Sequence, residues 1–417
     1  MPEIINLAGE IEKQISPDMV AFIKTAGRIA QRQQQRLYLV GGMVRDLLLG
    51  RHNFDIDLVV GGDAIALAEK LAEINDARVV RHKRFGTAKL RWNGSSVDVA
   101  TARSETYERP GALPSVRPGT ISDDLARRDF TINAMAVELN PRHFGELLDP
   151  FNGINDLEHG IVRVLHEKSF IDDATRIWRA IRYEQRLGFN LELATQELLR
   201  QSTVWLDTVG GNRVRRELEL VLAEDYPEKV LCRADELGAL NRLHHSLNGD
   251  TWLAETFTLA REPGLPVAAG TQLYLALLAY RLSPEETEQL LTYLKLPKRT
   301  AQVLRDTMAV KNSIGELSVH GLAPSHIYAL LHGHDTTALA ANSLATDNIT
   351  VEEHIELYLN VLRTIHPSLT GEDIRKLGVR SGPKIRELSH MLLEARLDGS
   401  VRTRREEEAM VRERIGR

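Results

Sequence analysis

The sequence predicts a multidomain α+β protein: a mixed α/β head followed by an all-α remainder. Three observations carry this. Residues 1–145 alternate short apolar runs, of strand length, with amphipathic stretches of helical period. Beyond Leu148-Asp149-Pro150-Phe151 the strand patterns nearly vanish, and helical periodicity continues to the C-terminus. The length of 417 residues supports more than one domain and a core large enough to hold a buried site.

The head is read in order. Ser16-Pro17-Asp18 marks a helix start, with Ser16 as cap and Pro17 in the first turn; Val20, Ile23, Ala26 and Ile29 are its apolar stripe. RLYLVGG is a short buried strand ending in a glycine pair, and VRDLLLG is a helix stopped by Gly50. FDIDLVV is a second strand and AIALAEKLAEI a helix. ARVV, TAKLRW and SSVDVAT are strands separated by turns. Between Thr101 and Arg127, Pro110, Gly111, Pro114, Pro118 and Gly119 argue for a loop. In the helical part Gly210-Gly211, Pro263-Gly264-Leu265-Pro266 and Ser381-Gly382-Pro383 are the interruptions.

Composition narrows the function classes. With 43% apolar and 27% charged residues the chain is neither disordered nor fibrous. A single cysteine, Cys232, forms no internal disulfide, so a reducing, cytoplasmic setting is expected. No apolar run reaches membrane-spanning length, and the N-terminal segment lacks the apolar core of an export signal. The net charge of −5 is segregated: residues 76–128 carry 11 basic against 6 acidic side chains, and residues 372–417 carry 12 against 9. Such asymmetry permits contact with a phosphate backbone and is also found on plain solvated surfaces. No feature calls for a protein partner.

The strongest chemical signal is Asp55-Ile56-Asp57. Strand alternation puts residues i and i+2 on one face, so the two carboxylates repel each other and each raises the other's pKa. A divalent cation relieves that cost. Mg2+ takes one or two carboxylates together with substrate phosphates, so Asp55 and Asp57 are the candidate metal ligands. On its own, so short a pattern also suits an acidic strand end facing solvent. The context adds weight: Gly41-Gly42-Met43-Val44-Arg45-Asp46 lies one short helix upstream. Glycines between a strand and a helix let backbone N–H groups approach a phosphate, and Arg45 near the helix start reaches toward one.

The combination LYLVGGMVRDLLLGRHNFDIDLVV, FGTAKL, VDVATAR and DDLARRDFTINAMA resembles the class II tRNA nucleotidyltransferases, the bacterial-type CCA-adding enzymes and their poly(A) polymerase relatives. The likeness continues through LLDPFNGINDLEHGIVR, FIDDATRIWRAIRYEQRLGF and NRVRRELELVL, and more loosely to the C-terminus. It implies a nucleotidyltransferase-type head over residues 1–145, a helical neck over 146–215, a body over 216–330 and a tail over 331–417. It further implies that Asp55 and Asp57 hold catalytic Mg2+. Asp98, in VDVATAR, stands as a third carboxylate able to accept the proton of a primer hydroxyl. Gly42, Arg45 and Arg128 contact the incoming nucleotide, and Asp129 and Asn133 shape the sugar pocket. By the same resemblance the substrates are CTP, ATP and tRNA, gripped at its acceptor stem and elbow. The activity implied is CCA addition or repair with pyrophosphate release; A-addition alone and poly(A) synthesis are the alternatives.

In FIDDATRIWRAIRY, Asp173, Arg176, Arg179 and Arg182 recur every three residues. On one continuous helix the first three share a broad face, while Arg182 lies half a turn round from Asp173, suited to phosphate or primer contact. An i,i+3 Asp–Arg pair is common on solvated helices and stabilises little. The resemblance gives the pair a sharper meaning. An ionised Asp only accepts hydrogen bonds and a guanidinium only donates. Asp173 can accept from cytosine N4–H or adenine N6–H, and Arg176 can donate to the neighbouring ring acceptor. Guanine O6 and uracil O4 would face the carboxylate acceptor to acceptor. The common family pattern is Glu-Asp-x-x-Arg, whereas this chain reads Asp172-Asp173-Ala174-Thr175-Arg176; both base-reading positions are kept. The Thr101–Arg127 segment resembles the family's flexible loop and is not shortened, unlike that of relatives adding only C.

Arg213, Arg216, Lys376, Arg380 and Lys384 are candidate RNA contacts. His334-Asp335 is a dipeptide shared with metal-dependent phosphohydrolases, but its glycine neighbour Gly333 suggests a loop. Trp178 and Trp205 are read as core. The rival class, an RNA-binding protein of this fold without activity, leaves the carboxylate pair unused.

Overall fold

The computed structural model describes residues 5–51, 55–92, 94–263, 267–380 and 382–416. Phe54, where the second strand is expected to begin, lies outside these residues, as do Gly264, Leu265, Pro266 and Ser381 of the expected interruptions. The chain divides into two compact units, Met1–Glu217 with Leu237–Arg242, and Leu218–Glu236 with Leu243–Arg417. The segments expected as head and neck fall together within the first.

In the first unit, helix α1 (Ala8–Gln14) buries only Ile11, too sparse a period to be read in advance. Helix α2 (Pro17–Arg32) buries the expected stripe; Ser16 sits at its cap without a side-chain bond. A Cβ added to Gly27 would lie 2.0 Å from the Leu139 carbonyl oxygen, so the helix backbone rests directly on the chain below it. Next come β1 (Leu37–Val40), α3 (Gly42–Leu48), β2 (Ile56–Val60) and α4 (Ala64–Asn75), then β3 (Arg78–His82), β4 (Thr87–Trp92) and β5 (Ser95–Thr101). Asp63 caps α4 by accepting from the amides of Ile65 and Ala66.

The expected loop is instead partly a hairpin, β6 (Arg103–Thr106) with β7 (Ser115–Pro118). Pro118 closes the last register pair, where a missing donor costs nothing, so the prolines do not forbid a two-stranded ribbon. After α5 (Ile121–Ala126), strands β8 (Ala136–Glu138) and β9 (Leu147–Leu148) complete a seven-stranded sheet, ordered β3-β4-β5-β2-β1-β8-β9. Only β2 and β5 pair in parallel within it. Alternation sends Ile56, Leu58 and Val60 into the core with Phe22, Ile23 and Leu67 and turns Asp57 to the other face.

Helix α6 (Gly153–Glu158) and β10 (Ile161–Val162) lead to α7 (Ser169–Asp172) and α8 (Thr175–Leu187). The expectation of one continuous helix here is corrected. Asp173 is extended (φ −140°, ψ 97°), because its carboxylate accepts from the Thr175 amide and hydroxyl and so competes with the helical bonds. Trp178 is wholly buried, and Trp205 is half-buried. Strand β11 (Asn190–Leu191) pairs with β10; α9 (Leu193–Ser202) and α10 (Gly211–Leu222) follow.

The second unit is helical: α11 (Pro227–Glu236), α12 (Thr251–Leu259), α13 (Thr271–Ala279), α14 (Pro284–Leu294), α15 (Lys298–Asn312), α16 (Ile314–Leu317), α17 (Pro324–Leu331), α18 (Thr336–Ala345), α19 (Ile349–Asn360), α20 (Gly371–Lys376), α21 (Pro383–Leu397) and α22 (Arg404–Ile415). Among the described residues no helix is long and apolar enough to cross a membrane. Asp335 spends its carboxylate as the cap of α18, accepting from the Thr337 amide, and its own amide donates to Asp306. His334 Nδ1 stands 3.6 Å from that same Asp306 carboxylate.

Candidate active site

A cavity of about 450 Å3 opens in the first unit and gathers most of the candidate residues. Asp57 comes from β2 and Asp55 from just before that strand, and Gly41, Gly42 and Arg45 come from the strand-to-helix turn. Arg128, Asp129 and Asn133 follow α5, and Asp173, Arg176, Arg179 and Arg182 come from the α7–α8 segment further along the chain. Asp98 is not on this wall. It pairs in register with Asp57 across β2 and β5 and is bonded to Lys89 Nζ at 2.8 Å.

The electrostatics are two-sided. Asp57 faces the cavity amid crowding protein. Burial, then the neighbouring Asp98 charge, pushes its carboxyl up to about 6; Arg128 opposes this and Asp55 adds to it. Two carboxylates that resist sharing their charge suit a divalent cation. The pair also matches Mg2+ in kind, with few protein oxygens and room for phosphate ligands. Gly41 has φ +73°, and a Cβ there would sit 2.8 Å from Arg128 Nη1, so only glycine lets this arginine lie against the turn.

The cationic side is built on buried anchors. Asp124, wholly buried, accepts from Arg127 Nη2 at 2.7 Å and Arg128 Nη2 at 2.9 Å. Arg45 is buried, donates to Asp46 and to Asn133 Oδ1 at 2.7 Å, and stacks over the Tyr183 ring. Asn133 in turn donates to Asp129, which accepts from Arg179 Nε at 2.9 Å. Burial pushes the Asp129 carboxyl up, but Arg179, Asn133, Arg176 and the Phe130 amide outweigh it and hold it below the ordinary range. Asp129 in return keeps Arg179 firmly protonated.

Arg176 is also buried. It donates to Ser169 Oγ at 2.7 Å and to the Arg127 carbonyl at 2.6 Å, which ties α8 to the chain leaving α5. Asp173 Oδ1 accepts from Arg213 Nη2 at 2.7 Å as well as from Thr175. Its Oδ2 accepts no bond among the described residues, which leaves one acceptor unfilled on a residue that lines the cavity. Arg182 lines the same cavity; because Asp173 leaves the helix, helical phase counted from it does not apply. Arg213, expected as an RNA contact, is Asp173's ion-pair partner. Arg216, Lys376, Arg380 and Lys384 are exposed.

Glu105, Tyr107, Arg127, Tyr183 and Arg186 also line the cavity, and nothing in the sequence pointed to them. Tyr107 donates to Glu105, and burial, with the Glu105 charge, raises its phenol above the ordinary range. Both belong to the β6–β7 hairpin region that composition marked as loop.

Comparison with known proteins places this geometry. Residues 37–163 match the poly A polymerase head domain. The chain is 36% identical to an A-adding tRNA nucleotidyltransferase of Geobacter sulfurreducens, over 97% of its own length and 48% of that protein. It thus spans about half the length of that relative. It is 32% identical to an A-adding tRNA nucleotidyltransferase of Halalkalibacterium halodurans, over 92% of this chain and 89% of that one. Among solved structures, a Thermotoga maritima CCA-adding enzyme complexed with tRNA aligns with a TM-score of 0.79 at 30% identity, covering 99% of this chain and 100% of that one.

Proposed function

This chain belongs to the tRNA nucleotidyltransferase family, and from that premise we propose that it transfers adenylate from ATP to the 3′ end of tRNA. The observation that carries the reading is the meeting of the Asp55–Asp57 pair with the Asp173–Arg176 pair on one cavity. The first would serve phosphoryl chemistry, the second base selection. A-addition is favoured over the other family activities by the Geobacter and Halalkalibacterium relatives, both A-adding.

In this reading Asp173 Oδ2 accepts adenine N6–H and Arg176 donates to N1. Arg45, Arg128, Arg179 and Arg182 surround the triphosphate, and Gly42 lets it approach the backbone. The primer 3′-oxygen forms a bond to the α-phosphorus, the bond to the β-phosphate oxygen breaks, and pyrophosphate leaves. We assign Asp98 the role of taking the hydroxyl proton; its register opposite Asp57 supports this. Mg2+, held by Asp55 and Asp57, would supply charge neutralisation on the phosphates and activation of the attacking hydroxyl. Asp129 and Asn133 hold Arg179 and Arg45 beside the sugar.

A second reading, full CCA addition from CTP and ATP, is favoured by the likeness to the Thermotoga enzyme. The same Asp–Arg edge reads cytosine N4–H and N3 equally well. The test incubates the protein with Mg2+ and each labelled nucleotide on tRNA ending in the discriminator base, in CC and in CCA. Label from ATP only, on the CC end only, is the expected result; CTP incorporation supports the second reading, and long ATP ladders indicate poly(A) synthesis. No product on any end would overturn the assignment.

A further inference from the structure

The sheet face that carries Asp57 does not end at the cavity. Register carries it outward across three more strands. Asp57 on β2 lies beside Asp98 on β5, Asp98 opposite Lys89 on β4, and Lys89 opposite Val80 on β3. Paired residues share a face, so these four form one row. The next row on that face sets Arg91 of β4 opposite Arg78 of β3. The residues between, Val79, Leu90 and Val97, point the other way into the core with α4.

This outer part of the face is bare. Arg78, Val80, Arg91 and Asp98 are exposed and Lys89 is half-exposed. Two features make it more than an ordinary surface. Arg78 and Arg91 face each other directly across the ladder, an arrangement of like charges that weakens a strand pair. Neither forms an ion pair among the described residues, whereas Arg81, on the opposite face of the same strand, is paired with Glu69. The cationic pair is therefore left without a counter-charge on a surface that leads straight to the Asp57 carboxylate.

We propose that this face is a track for the phosphodiester backbone of the RNA strand whose 3′ end reacts, with Arg78 and Arg91 as phosphate contacts. The inference rests on the tRNA-directed reading above. A polyanion is the occupant that charge complementarity selects, because it relieves the Arg78–Arg91 repulsion. Lys89, between the arginines and Asp98, bridges the track to the carboxylates.

The experiment uses the full chain and a CC-ended RNA hairpin, with binding followed by fluorescence anisotropy across a salt series. In the double variant R78A/R91A the dissociation constant is expected to rise about tenfold. The slope of log K against log salt should fall by about 1 to 2, because each lost arginine–phosphate contact removes roughly one released counterion. ATP KM should not change, and the melting temperature should hold or rise because a repulsive pair is gone. Arg81→Ala serves as the control and should leave RNA affinity unaltered. An unchanged affinity and salt slope in the double variant, with the unaltered protein binding normally, overturns this inference alone. A lower melting temperature without change in the salt slope assigns the arginines to structure and overturns it too. Failure of the unaltered protein to bind the hairpin overturns the tRNA reading as well.

Discussion

Replacing Arg213 by Gln tests the base-reading geometry without touching either residue proposed to meet the base. Three donors converge on Asp173 Oδ1: the Thr175 amide, the Thr175 hydroxyl and Arg213 Nη2 at 2.7 Å. They hold the carboxylate by Oδ1 in a residue that lines the cavity. A hydrogen bond to a charged group contributes about 1.5–3 kcal/mol net. The Arg213 and Asp173 side chains are 30% and 20% exposed, so solvent screening brings this pair below that range, to about 1–1.5 kcal/mol. At 1.36 kcal/mol per factor of ten, kcat/KM for ATP should fall about five- to thirteenfold. Because the loss concerns orientation, the preference for ATP over GTP should narrow by a similar factor. Arg213→Lys, which keeps the charge but not the planar fork, should recover part of both. Steady-state incorporation of labelled ATP and GTP on CC-ended tRNA measures this, with a thermal melt to confirm folding. A variant that keeps its ATP rate and its ATP-over-GTP ratio within about twofold would refute the reasoning, given that pairs of this strength are measurable.

Further tests address other parts of the structure. Asp57→Asn removes one carboxylate of the proposed Mg2+ pair; losing about 4 kcal/mol of charge stabilisation lowers product formation about a thousandfold, while gel-shift binding of tRNA persists. Asp124→Asn leaves the Arg127 and Arg128 guanidiniums facing a neutral, buried amide. It should cost about 3 kcal/mol in denaturant unfolding and raise ATP KM. Asp335→Ala removes the α18 cap, costing about 1 kcal/mol, and nucleotide incorporation should not change; loss of activity would return the His334-Asp335 pair to consideration. Asp373 is held down to about 2 by the Thr370 amide and hydroxyl and by Arg404. Its depressed value means that its stabilisation is present above the ordinary 3.8 and disappears as pH falls through about 2, which a carboxylate NMR titration resolves.

The elements with a strong period were legible in the sequence. Strand alternation alone puts Asp57 opposite the core, and the Pro17 helix start and the Asp55–Asp57 pair follow from local rules. What escaped was long-range or competitive. Arg213 meets Asp173 across 40 residues, a pairing no local pattern encodes. Asp173 breaks a helix that its neighbours' periodicity favours, because a carboxylate two residues before an amide offers the backbone another partner. Tyr107 and Glu105 belong to a ribbon whose prolines and glycines read as loop. Asp124, an unremarkable acid in DDLARRD, organises two arginines only because folding buries it.

The close approach at Gly27 limits how this protein can be strengthened. A glycine inside a helix of 16 residues invites replacement by alanine, which ordinarily gains about 1 kcal/mol of helix propensity. Here one methyl group would overlap a carbonyl oxygen 2.0 Å away, and either α2 or the Leu139 backbone would have to retreat. Strand β8 ends at the residue before that carbonyl and pairs with β1, whose turn carries Gly41 and Gly42. An engineer seeking thermal tolerance at this position would shift the floor on which the nucleotide-facing turn stands.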